Sequence, residues 1–474
     1  MRACRNRSPA GRFHPSSAIV KGRRSVDDRL HTHHPRTLPQ SANHANFANI
    51  ADSAIFAMTT AIVNIGQLVT LSGPARPRIG TELHELAIIR DAAMLIEDGR
   101  IVATGTYSAL LSEIPLHAVL IDAGGRCVTP GFVDAHTHLC FAGNRAAEFE
   151  QRIAGATYQQ IAASGGGIQS TVRLTRAATE DELLKAARQH RDWMLRCGTT
   201  TIEAKSGYGL ERETELRMLR VLAQLNAEGP SRIVSTLLAA HMVPPEFANR
   251  REEYVRWICG ELIPEVSNQK LATFCDAFCD DHAFTVDEAR TVLTAARSHG
   301  LRLRVHAEQF RPGTGAALAA ELGAATADHL ETATSETLHL LREAGVQPVL
   351  LPGSVFALGR EQYPPARTMI EMGLGIVLAT DFNPGSSPVS SMPFILSLAC
   401  LQMRISPAEA LTASTINAAC SLGLGHRVGS LQPKKDADFL IHEFQDYREL
   451  AYFIAAPFRP RVFISGKEVL TTEL

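Results

Sequence analysis

Residues 129–145 read TPGFVDAHTHLCFAGNR, and this stretch decides how the rest of the chain is interpreted. His136 and His138 stand two positions apart, behind an apolar run that follows Pro130. In a β-strand, residues two apart point to the same face, so the two imidazoles can converge on one point. Neutral imidazole is the commonest metal ligand in proteins. The pair alone fits two surface histidines at a strand end equally well, so the rest of the chain must decide.

Strand-like apolar runs recur along the chain, separated by helical patterns such as those at 180–196 and 286–297. The runs cover residues 131–138, 199–205, 232–241, 272–279, 301–306, 325–329, 346–351 and 375–381. Eight strands alternating with helices predict an α/β fold, a (β/α)8 barrel of the TIM type. A doubly wound parallel sheet is the alternative.

Polar side chains close most of these runs. They are His136 and His138, then Lys205 with Tyr208 just beyond it, His241, His306, His329 and Asp381. Barrel enzymes place their chemistry at the C-terminal ends of the strands, where such side chains face one mouth. Three histidines and one carboxylate, with an open position, are typical of a catalytic divalent-metal site. The predicted ligands of one divalent ion, zinc or iron, are His136, His138, His306 and Asp381.

The same pattern suggests two catalytic roles. Asp381 would touch the attacking water as well as the ion, so its carboxylate can take the proton of the nucleophile. His329 would brace that water or the oxyanion that develops on the substrate.

Short apolar runs broken by turns occupy residues 60–127, with a tight hairpin signal at Glu97-Asp98-Gly99. The same character returns near the C-terminus, in the runs 438–441, 461–464 and 468–470. We therefore expect a small β-sandwich domain built from both chain ends. Its expected parts are residues 58–128 and 423–474, on either side of a barrel at 129–422.

Residues 1–57 are rich in Arg, His, Ser, Pro and Asn and poor in acids, which predicts a disordered extension. The segment faintly resembles a transit peptide, but translation that begins at Met58 is the favoured interpretation. Over the whole chain of 474 residues the formal net charge is −2, so no global field favours nucleic acid or an anionic membrane. Nine cysteines without a dense framework suit a reducing cytoplasm.

Further stretches narrow the interpretation. They read FAGNRAAEF, SGGGIQSTVRLTR, TTIEAKSGYGL, AAHMVPPE, VHAEQF, ADHLE and ATDFNPGSSP. With the strand-end histidines and aspartate, they resemble the imidazolonepropionase family of the amidohydrolase superfamily, from about residue 60 to the C-terminus. The resemblance implies hydrolysis of the lactam C–N bond of 4-imidazolone-5-propanoate to N-formimidoyl-L-glutamate, in histidine degradation. It also implies a homodimer.

The resemblance assigns substrate contacts as well. Arg145 matches the family arginine that grips the propionate, for which a planar guanidinium is well suited. His329 matches the catalytic histidine. The other expected substrate contacts are Tyr208, His241, Gln309, Asn383, Gly385 and Ser386. Because the Gln309 amide cannot act as a general base, that role is expected of Asp381 and His329. Glu308 is expected to point away from the site.

Other hydrolases and a non-catalytic protein are the alternatives. A cytosine- or guanine-type aminohydrolase shares the metal ligands but does not need Arg145. A hydantoinase or dihydroorotase needs a lysine at the end of strand four, where this chain reads TFCDAFCDD. A scaffold that kept only the fold would be expected to lose ligands. We interpret Cys275 and Cys279 as strand cysteines, His282 as a surface residue, and the glycines at 165–167 as a flexible segment over the mouth.

Overall fold

The computed structural model describes residues 59–156, 160, 165–280 and 283–469. The predicted N-terminal extension and His282 lie outside the described residues. So does the last part of the C-terminal run at 468–470, of which residues 468 and 469 are described. No helix in the described ranges combines the length and the apolar character that crossing a membrane requires.

A mixed sheet is built from both ends of the chain. Its strands are β1 (Thr60–Val69), β2 (Ile88–Glu97), β3 (Arg100–Thr106), β4 (Val119–Asp122), β5 (Cys127–Pro130), β14 (Phe439–Ile441), β15 (Arg461–Ile464) and β16 (Lys467–Val469). β1 pairs antiparallel with β2 and parallel with β4 and β5, while β14 pairs antiparallel with β5 and β15. The pairing of β5 with β14 joins the two ends, which confirms the expected β unit.

The mixed sheet has an apolar core of its own. Ile62, Leu68 and Met94 are fully buried in it, and the rings of Phe439 and Phe463 stack with centroids 4.4 Å apart. The predicted hairpin joins β2 to β3, and Asp98 and Gly99 both have positive φ, as a type I′ turn requires.

Eight parallel strands form the second sheet, each paired with its neighbours in chain order. They are β6 (Phe132–Asp134), β7 (Thr199–Lys205), β8 (Arg232–Ala240), β9 (Phe274–Cys279), β10 (Arg302–Ala307), β11 (Thr326–His329), β12 (Gln347–Leu350) and β13 (Val377–Leu378). A parallel bridge between Thr137 and Phe382 connects the segments that follow the first and last strands. The sheet therefore closes on itself, which confirms the predicted barrel and excludes the doubly wound alternative.

The helices lie mostly between the barrel strands. They are α1 (Tyr107–Leu110), α2 (Ala146–Ile153), α3 (Ile168–Ala177), α4 (Glu180–Arg196), α5 (Arg212–Glu228), α6 (Arg251–Trp257), α7 (Ile263–Asn268), α8 (Val286–Ser298), α9 (Gly315–Glu321), α10 (Ser335–Ala344), α11 (Pro352–Ala357), α12 (Ala366–Glu371), α13 (Met392–Met403), α14 (Pro407–Ala413), α15 (Ile416–Ser421) and α16 (Glu449–Tyr452). The 3-10 turns Gly80–His84 and Pro245–Phe247 and the π-helical segment Ile258–Leu262 complete the set in the described chain. The two helical patterns predicted at 180–196 and 286–297 are α4 and α8. α4 begins at the capping box formed by Thr179 and Glu182.

The first and last barrel strands are shorter than the runs that predicted them. β6 ends at Asp134, before the two histidines, and β13 ends before Asp381, whose φ is +53°. These segments leave the regular ladder because they bond to each other instead. The amide of Asp381 donates to the carbonyl of His136 at 3.1 Å, and the amide of His138 donates to that of Phe382 at 2.9 Å. This closure brings the predicted ligands that follow the first barrel strand close to Asp381, which follows the last one.

Candidate metal centre and active site

Two overlapping groups of side chains at the barrel mouth can each hold a metal ion. One is His136, His138 and Asp381, and the other is His136, His306 and His329. Nε2 of His136 lies 3.6 Å from Oδ1 of Asp381, and Nε2 of His138 lies 3.5 Å from the same oxygen. The ring centroids of His136 and His306 are 4.5 Å apart. The four predicted ligands therefore meet through the shared His136, and His329 lies beside them.

The chemistry of the donor set fits a divalent cation. Nε2 of His136, Nε2 of His306 and Oδ1 of Asp381 are buried without a hydrogen-bond partner among the described residues. Unpaired buried polar atoms are costly, and a cation among these three would satisfy all of them. Burial, and then the charge of Lys205, holds the pKa of His136 well below its usual range, so this ring is neutral, as a metal ligand must be.

Asp134, which the sequence did not suggest as functional, fixes the position of the ligand segments. Its Oδ1 accepts the backbone amides of Thr380 at 3.1 Å and His136 at 3.4 Å, and its Oδ2 accepts the Thr380 hydroxyl at 2.6 Å. Burial raises the pKa of Asp134 to about 7. One carboxyl group thus ties the His136 segment to the segment that carries Asp381.

Buried carboxylates orient two of the ligand histidines from behind. Oδ2 of Asp328 lies 2.6 Å from Nδ1 of His136, and Oδ2 of Asp276 lies 3.0 Å from Nδ1 of His306. Such contacts fix the ring orientation and the tautomer of a metal-binding histidine. Sequence analysis missed both residues. The available signal was the two-residue alternation of inward-facing side chains along each barrel strand.

Two buried cations balance these carboxylates. Nζ of Lys205 lies 2.9 Å from Asp276 and 2.9 Å from Glu203, and Nη2 of Arg304 lies 3.0 Å from Asp328. All five side chains of this network are fully buried. Lys205 does end its strand as predicted, and its charge sits among these carboxylates, where burial without a partner would be expensive.

His329 and Asp381 are the predicted catalytic pair. His329 has a φ of +82°, and its Nδ1 lies 3.2 Å from Oε1 of Glu331. Burial lowers the pKa of His329, but the contact with Glu331 and the charges of Asp381 and Asp328 together outweigh burial and raise the pKa of the imidazole. Burial raises the pKa of Asp381 to about 6, against the charges of His329 and His306. Asp381 is therefore suited to accept a proton, and His329 is suited to donate a hydrogen bond.

Tyr208 and His241 form one wall of the site. The His241 ring stacks on His138 with a centroid distance of 5.1 Å, and the Tyr208 ring lies 5.8 Å from His138 and 5.4 Å from His241. Nδ1 of His241 lies 2.9 Å from the carbonyl of Gly207, to which it donates when the ring is neutral. Burial lowers the pKa of His241 to about 4, so the neutral ring is the form present at pH 7.

Arg145 meets the loop that follows Asp381. A Cβ atom at Gly385 would collide with Nη1 of Arg145, so the guanidinium lies directly against this glycine and would have to shift for any larger residue. Nε and Nη2 of Arg145 both lie 2.7 Å from Oε2 of Glu148, while Oε1 of Glu148 accepts the amide of Gly167 at 3.1 Å. The guanidinium is thus held on one edge by its own helix.

The side chain of Asn383 is used inside the same loop. Its Oδ1 accepts the amides of Gly385 and Ser386, each at 2.8 Å, and its Nδ2 donates to the carbonyl of Asp381 at 2.7 Å. The Ser386 hydroxyl also lies 2.9 Å from Nδ2. Asn383 therefore shapes the loop, and its contact with a substrate stays a prediction.

Gln309 forms hydrogen bonds with residues that the sequence did not place in the site. Its side-chain amide lies 3.4 Å from the Ser354 hydroxyl, and its backbone amide donates to Asp280 at 3.1 Å. The neighbouring Glu308 has a φ of +56° and receives a hydrogen bond from the Thr337 hydroxyl at 3.3 Å, so its side chain points away from the ligands as expected. Cys275 and Cys279 are free, buried residues of β9, which confirms that they are strand cysteines.

Comparisons with known proteins agree with this geometry. The amidohydrolase family model matches residues 127–469. An imidazolonepropionase of Solibacter usitatus (strain Ellin6076) is 56% identical over 408 residues, which are 86% of this chain and 98% of that protein. An imidazolonepropionase of Geobacillus thermodenitrificans (strain NG80-2) is 46% identical over 408 residues, 85% of this chain and 96% of that protein.

Two solved structures share the fold of this chain. An adenosine deaminase from Xanthomonas campestris with bound zinc superposes with a TM-score of 0.63 at 19% identity, covering 87% of this chain and 92% of that one. A 5-methylcytosine deaminase from Klebsiella pneumoniae gives a TM-score of 0.65 at 16% identity, covering 88% of this chain and 98% of that one. At this level of identity, the likeness is one of architecture.

Proposed function

The chain belongs to the amidohydrolase family and, within it, to the imidazolonepropionases. From this premise we propose that the cluster at the barrel mouth is the site that hydrolyses the lactam C–N bond of 4-imidazolone-5-propanoate to N-formimidoyl-L-glutamate. The protein is a hydrolase that acts on a cyclic amide. The observation that carries the assignment of the site is the approach of Arg145 to Gly385, four positions after Asp381. It pairs a carboxylate-binding guanidinium with a metal-binding set.

His136, His138, His306 and Asp381 would hold one divalent ion, and nitrogen and oxygen donors of this kind suit zinc or iron. When bound, the ion supplies Lewis-acid polarisation of the lactam carbonyl and activates water at neutral pH. The buried, unpartnered atoms of His136, His306 and Asp381 support this proposal. Asp328 and Asp276 keep two of the rings turned toward the ion.

Proton transfer is assigned to Asp381 and hydrogen bonding to His329. With a pKa of about 6, the Asp381 carboxylate is mostly ionised at pH 7 and still basic enough to take a proton from the attacking water. It then delivers that proton to the ring nitrogen as the C–N bond breaks. His329, whose pKa the neighbouring Glu331 helps to raise, donates a hydrogen bond to the carbonyl oxygen as negative charge develops there.

Arg145 is proposed to bind the propionate. Because Glu148 occupies only the Nε and Nη2 edge, Nη1 beside Gly385 is left facing the loop that would surround the carboxylate. The remaining contacts are proposed to surround the imidazolone ring. They come from Tyr208, His241, Gln309, Asn383, Gly385 and Ser386.

The protein is proposed to work as a homodimer in the cytoplasm, without nucleic acid. Leu401 on α13 and Tyr452 and Ile454 after it in the chain are exposed by 59%, 72% and 54%, which suits burial against a second copy. The cysteines in the described chain are free, as in a reducing compartment, and the formal net charge is −2.

A spectrophotometric assay tests the proposed function. Incubated with imidazolone propanoate, the purified protein should remove its ultraviolet absorbance, and pretreatment with a chelator should stop the reaction. Cytosine and guanine are the comparison substrates, because a base-deaminating amidohydrolase would release ammonia from them. Ammonia release from either base, with no loss of imidazolone absorbance, would reject the proposal in favour of an aminohydrolase.

A further inference from the structure

Glu215, in the first turn of α5, carries a buried carboxylate that the proposed chemistry does not use. Its side chain is fully buried, and no arginine, lysine or histidine forms an ion pair with it within the described part of the chain. A buried charge without a cation must be stabilised by hydrogen bonds. The donors to this carboxylate therefore show what the residue is for.

The donors are three backbone amides of one loop, residues 206–210, and they belong to Gly207, Gly209 and Leu210. Oε1 of Glu215 accepts the amides of Gly209 and Leu210, each at 2.8 Å. The amide of Gly207 lies 3.2 Å from Oε1 and 3.1 Å from Oε2. Burial raises the pKa of Glu215, and the hydrogen bonds from the Ser206 side chain and these amides oppose that rise. A single carboxylate thus organises the whole loop.

The backbone of the 206–210 loop is shaped for this contact. Gly207 has a φ of +104° and Leu210 one of +54°. A Cβ at Gly209 would lie 2.6 Å from the backbone nitrogen of Glu215, and a Cβ at Gly207 would lie 2.8 Å from the carbonyl of Leu238. Glycine at both positions lets the loop pack against the start of α5 on one side and the end of β8 on the other.

This loop presents two residues to the metal centre. Tyr208 lies between the two glycines, and its ring centroid is 5.8 Å from His138. The carbonyl of Gly207 is the partner of His241 Nδ1, at 2.9 Å. The amide of Gly207 donates to Glu215, so this loop links the carboxylate to both residues of the wall that Tyr208 and His241 form.

We propose that Glu215 is a positioning residue for substrate recognition, whose carboxylate holds the 206–210 loop so that Tyr208 and His241 meet the imidazolone ring. The proposal rests on the proposed function, because it takes these two residues as substrate contacts. Glu215 itself does not touch the substrate. A carboxylate is needed because a glutamine would offer one acceptor oxygen and turn an NH2 group toward amides that are themselves donors.

The test is a double-mutant cycle of Glu215→Gln and Tyr208→Phe with imidazolone propanoate as substrate. Glu215→Gln should lower kcat/KM by about ten- to a hundredfold, chiefly through KM, because small displacements of binding groups carry losses of that size. Added to Tyr208→Phe, it should lower kcat/KM by a clearly smaller factor than it does in the wild-type background, because the part of the loss that acts through the Tyr208 hydroxyl is already present. Bound metal per chain should stay at the wild-type value. Glu213→Gln, an exposed glutamate on the same helix, is the matched control and should keep the wild-type constants.

Amide hydrogen exchange of the 206–210 peptide gives a second readout that needs no substrate. Glu215→Gln should speed exchange there by about tenfold or more, since the NH2 group replaces one of the two acceptor oxygens and weakens the hold on the loop amides. Fast exchange in a wild-type protein that lacks imidazolone hydrolysis would reject both proposals. Slow wild-type exchange that Glu215→Gln releases, again without turnover, would reject the proposed function and with it the recognition role, leaving an anchored loop.

Two results would overturn the proposal. One is a wild-type KM in Glu215→Gln. The other is a loss that multiplies with that of Tyr208→Phe, because independent effects would mean that Glu215 does not act through Tyr208. If Glu215→Gln fails to fold, Gly209→Ala decides the matter, because its Cβ displaces the loop while the carboxylate remains. It should show the same rise in KM, and an unchanged KM would overturn the proposal.

Discussion

Arg145 is the residue that we propose connects the metal centre to the propionate of the substrate. Its side chain is 18% exposed, close to Gly385, and paired with Glu148. A guanidinium offers a fixed, planar fork of donors, which a lysine does not. Binding of a carboxylate by Arg145 would therefore depend on the geometry of its donors as well as on its charge.

Replacing Arg145 with methionine should chiefly raise KM for imidazolone propanoate. The loss of a largely buried charge pair with the propionate should cost roughly 2–4 kcal/mol in kcat/KM, or about 30-fold to somewhat under a thousandfold. Steady-state kinetics measure this. Arg152→Met, on the same helix, is the control and should leave KM near the wild-type value. An unchanged KM in Arg145→Met would contradict the carboxylate role.

Among single residues, sequence analysis predicted those at or just after strand ends. It missed the buried carboxylates that contact the Nδ1 atoms of the ligand histidines. His136, His306 and Asp381 could be predicted from the sequence because the C-terminal ends of parallel strands meet at one mouth. Asp328 was not, because its contact with His136 joins residues 192 positions apart and depends on how the barrel closes. Glu215 was hidden for a similar reason, since its partners are backbone amides.

At the scale of elements, the pairing of β5 with β14 holds the mixed sheet together, and His442 lies just after that pair. Its ring lies 2.8 Å from the Thr129 hydroxyl, and its backbone amide donates to Cys127 at 3.0 Å. Burial lowers the pKa of His442 to about 3. The neutral ring is therefore part of the folded state.

His442 makes the stability of the protein depend on pH. Its pKa in the folded state lies below the unfolded value of about 6.5, so between these values only the unfolded chain binds the proton. The contribution of His442 to the free energy of unfolding is complete above pH 6.5. It is lost as pH falls, by up to about 1.4 kcal/mol per pH unit. His442→Gln should remove this part of the slope of the free energy of unfolding against pH. His426→Gln, at an exposed site, is the control and should leave the slope unchanged. Urea unfolding of the metal-free proteins at pH 7.5, 6 and 5 measures it. Parallel curves for wild type and His442→Gln would contradict this explanation.

Element positions were predictable where a pattern is long and regular, as in α4 and β7, whose limits match the prediction. The limits of β6 and β13 were not, because tertiary hydrogen bonds between the two ligand segments end those strands. Local periodicity contains no information about that closure. The proposed domain limits at 58–128, 129–422 and 423–474 stay predictions.

For the whole molecule, both sheets and the residues of the candidate site lie after Met58, and the carbonyl of Thr59 accepts the amide of Val119 at 2.9 Å. A chain that begins at Met58 should therefore fold, bind metal and hydrolyse imidazolone propanoate like the full-length protein. Melting temperature and kcat/KM of the two proteins, purified side by side, measure this. Insolubility or a clear loss of activity in the shorter chain would assign a function to residues 1–57.

The central proposal is that one metal ion, held by His136, His138, His306 and Asp381, is required for hydrolysis of imidazolone propanoate. The most direct measurement is a titration of the metal-free protein with zinc, and separately with ferrous iron, while the initial rate of loss of imidazolone absorbance is recorded. The account predicts no activity without metal and a linear rise that ends at one equivalent per chain for the native metal. Full activity in the metal-free protein, or a rise that continues to two equivalents, would contradict it.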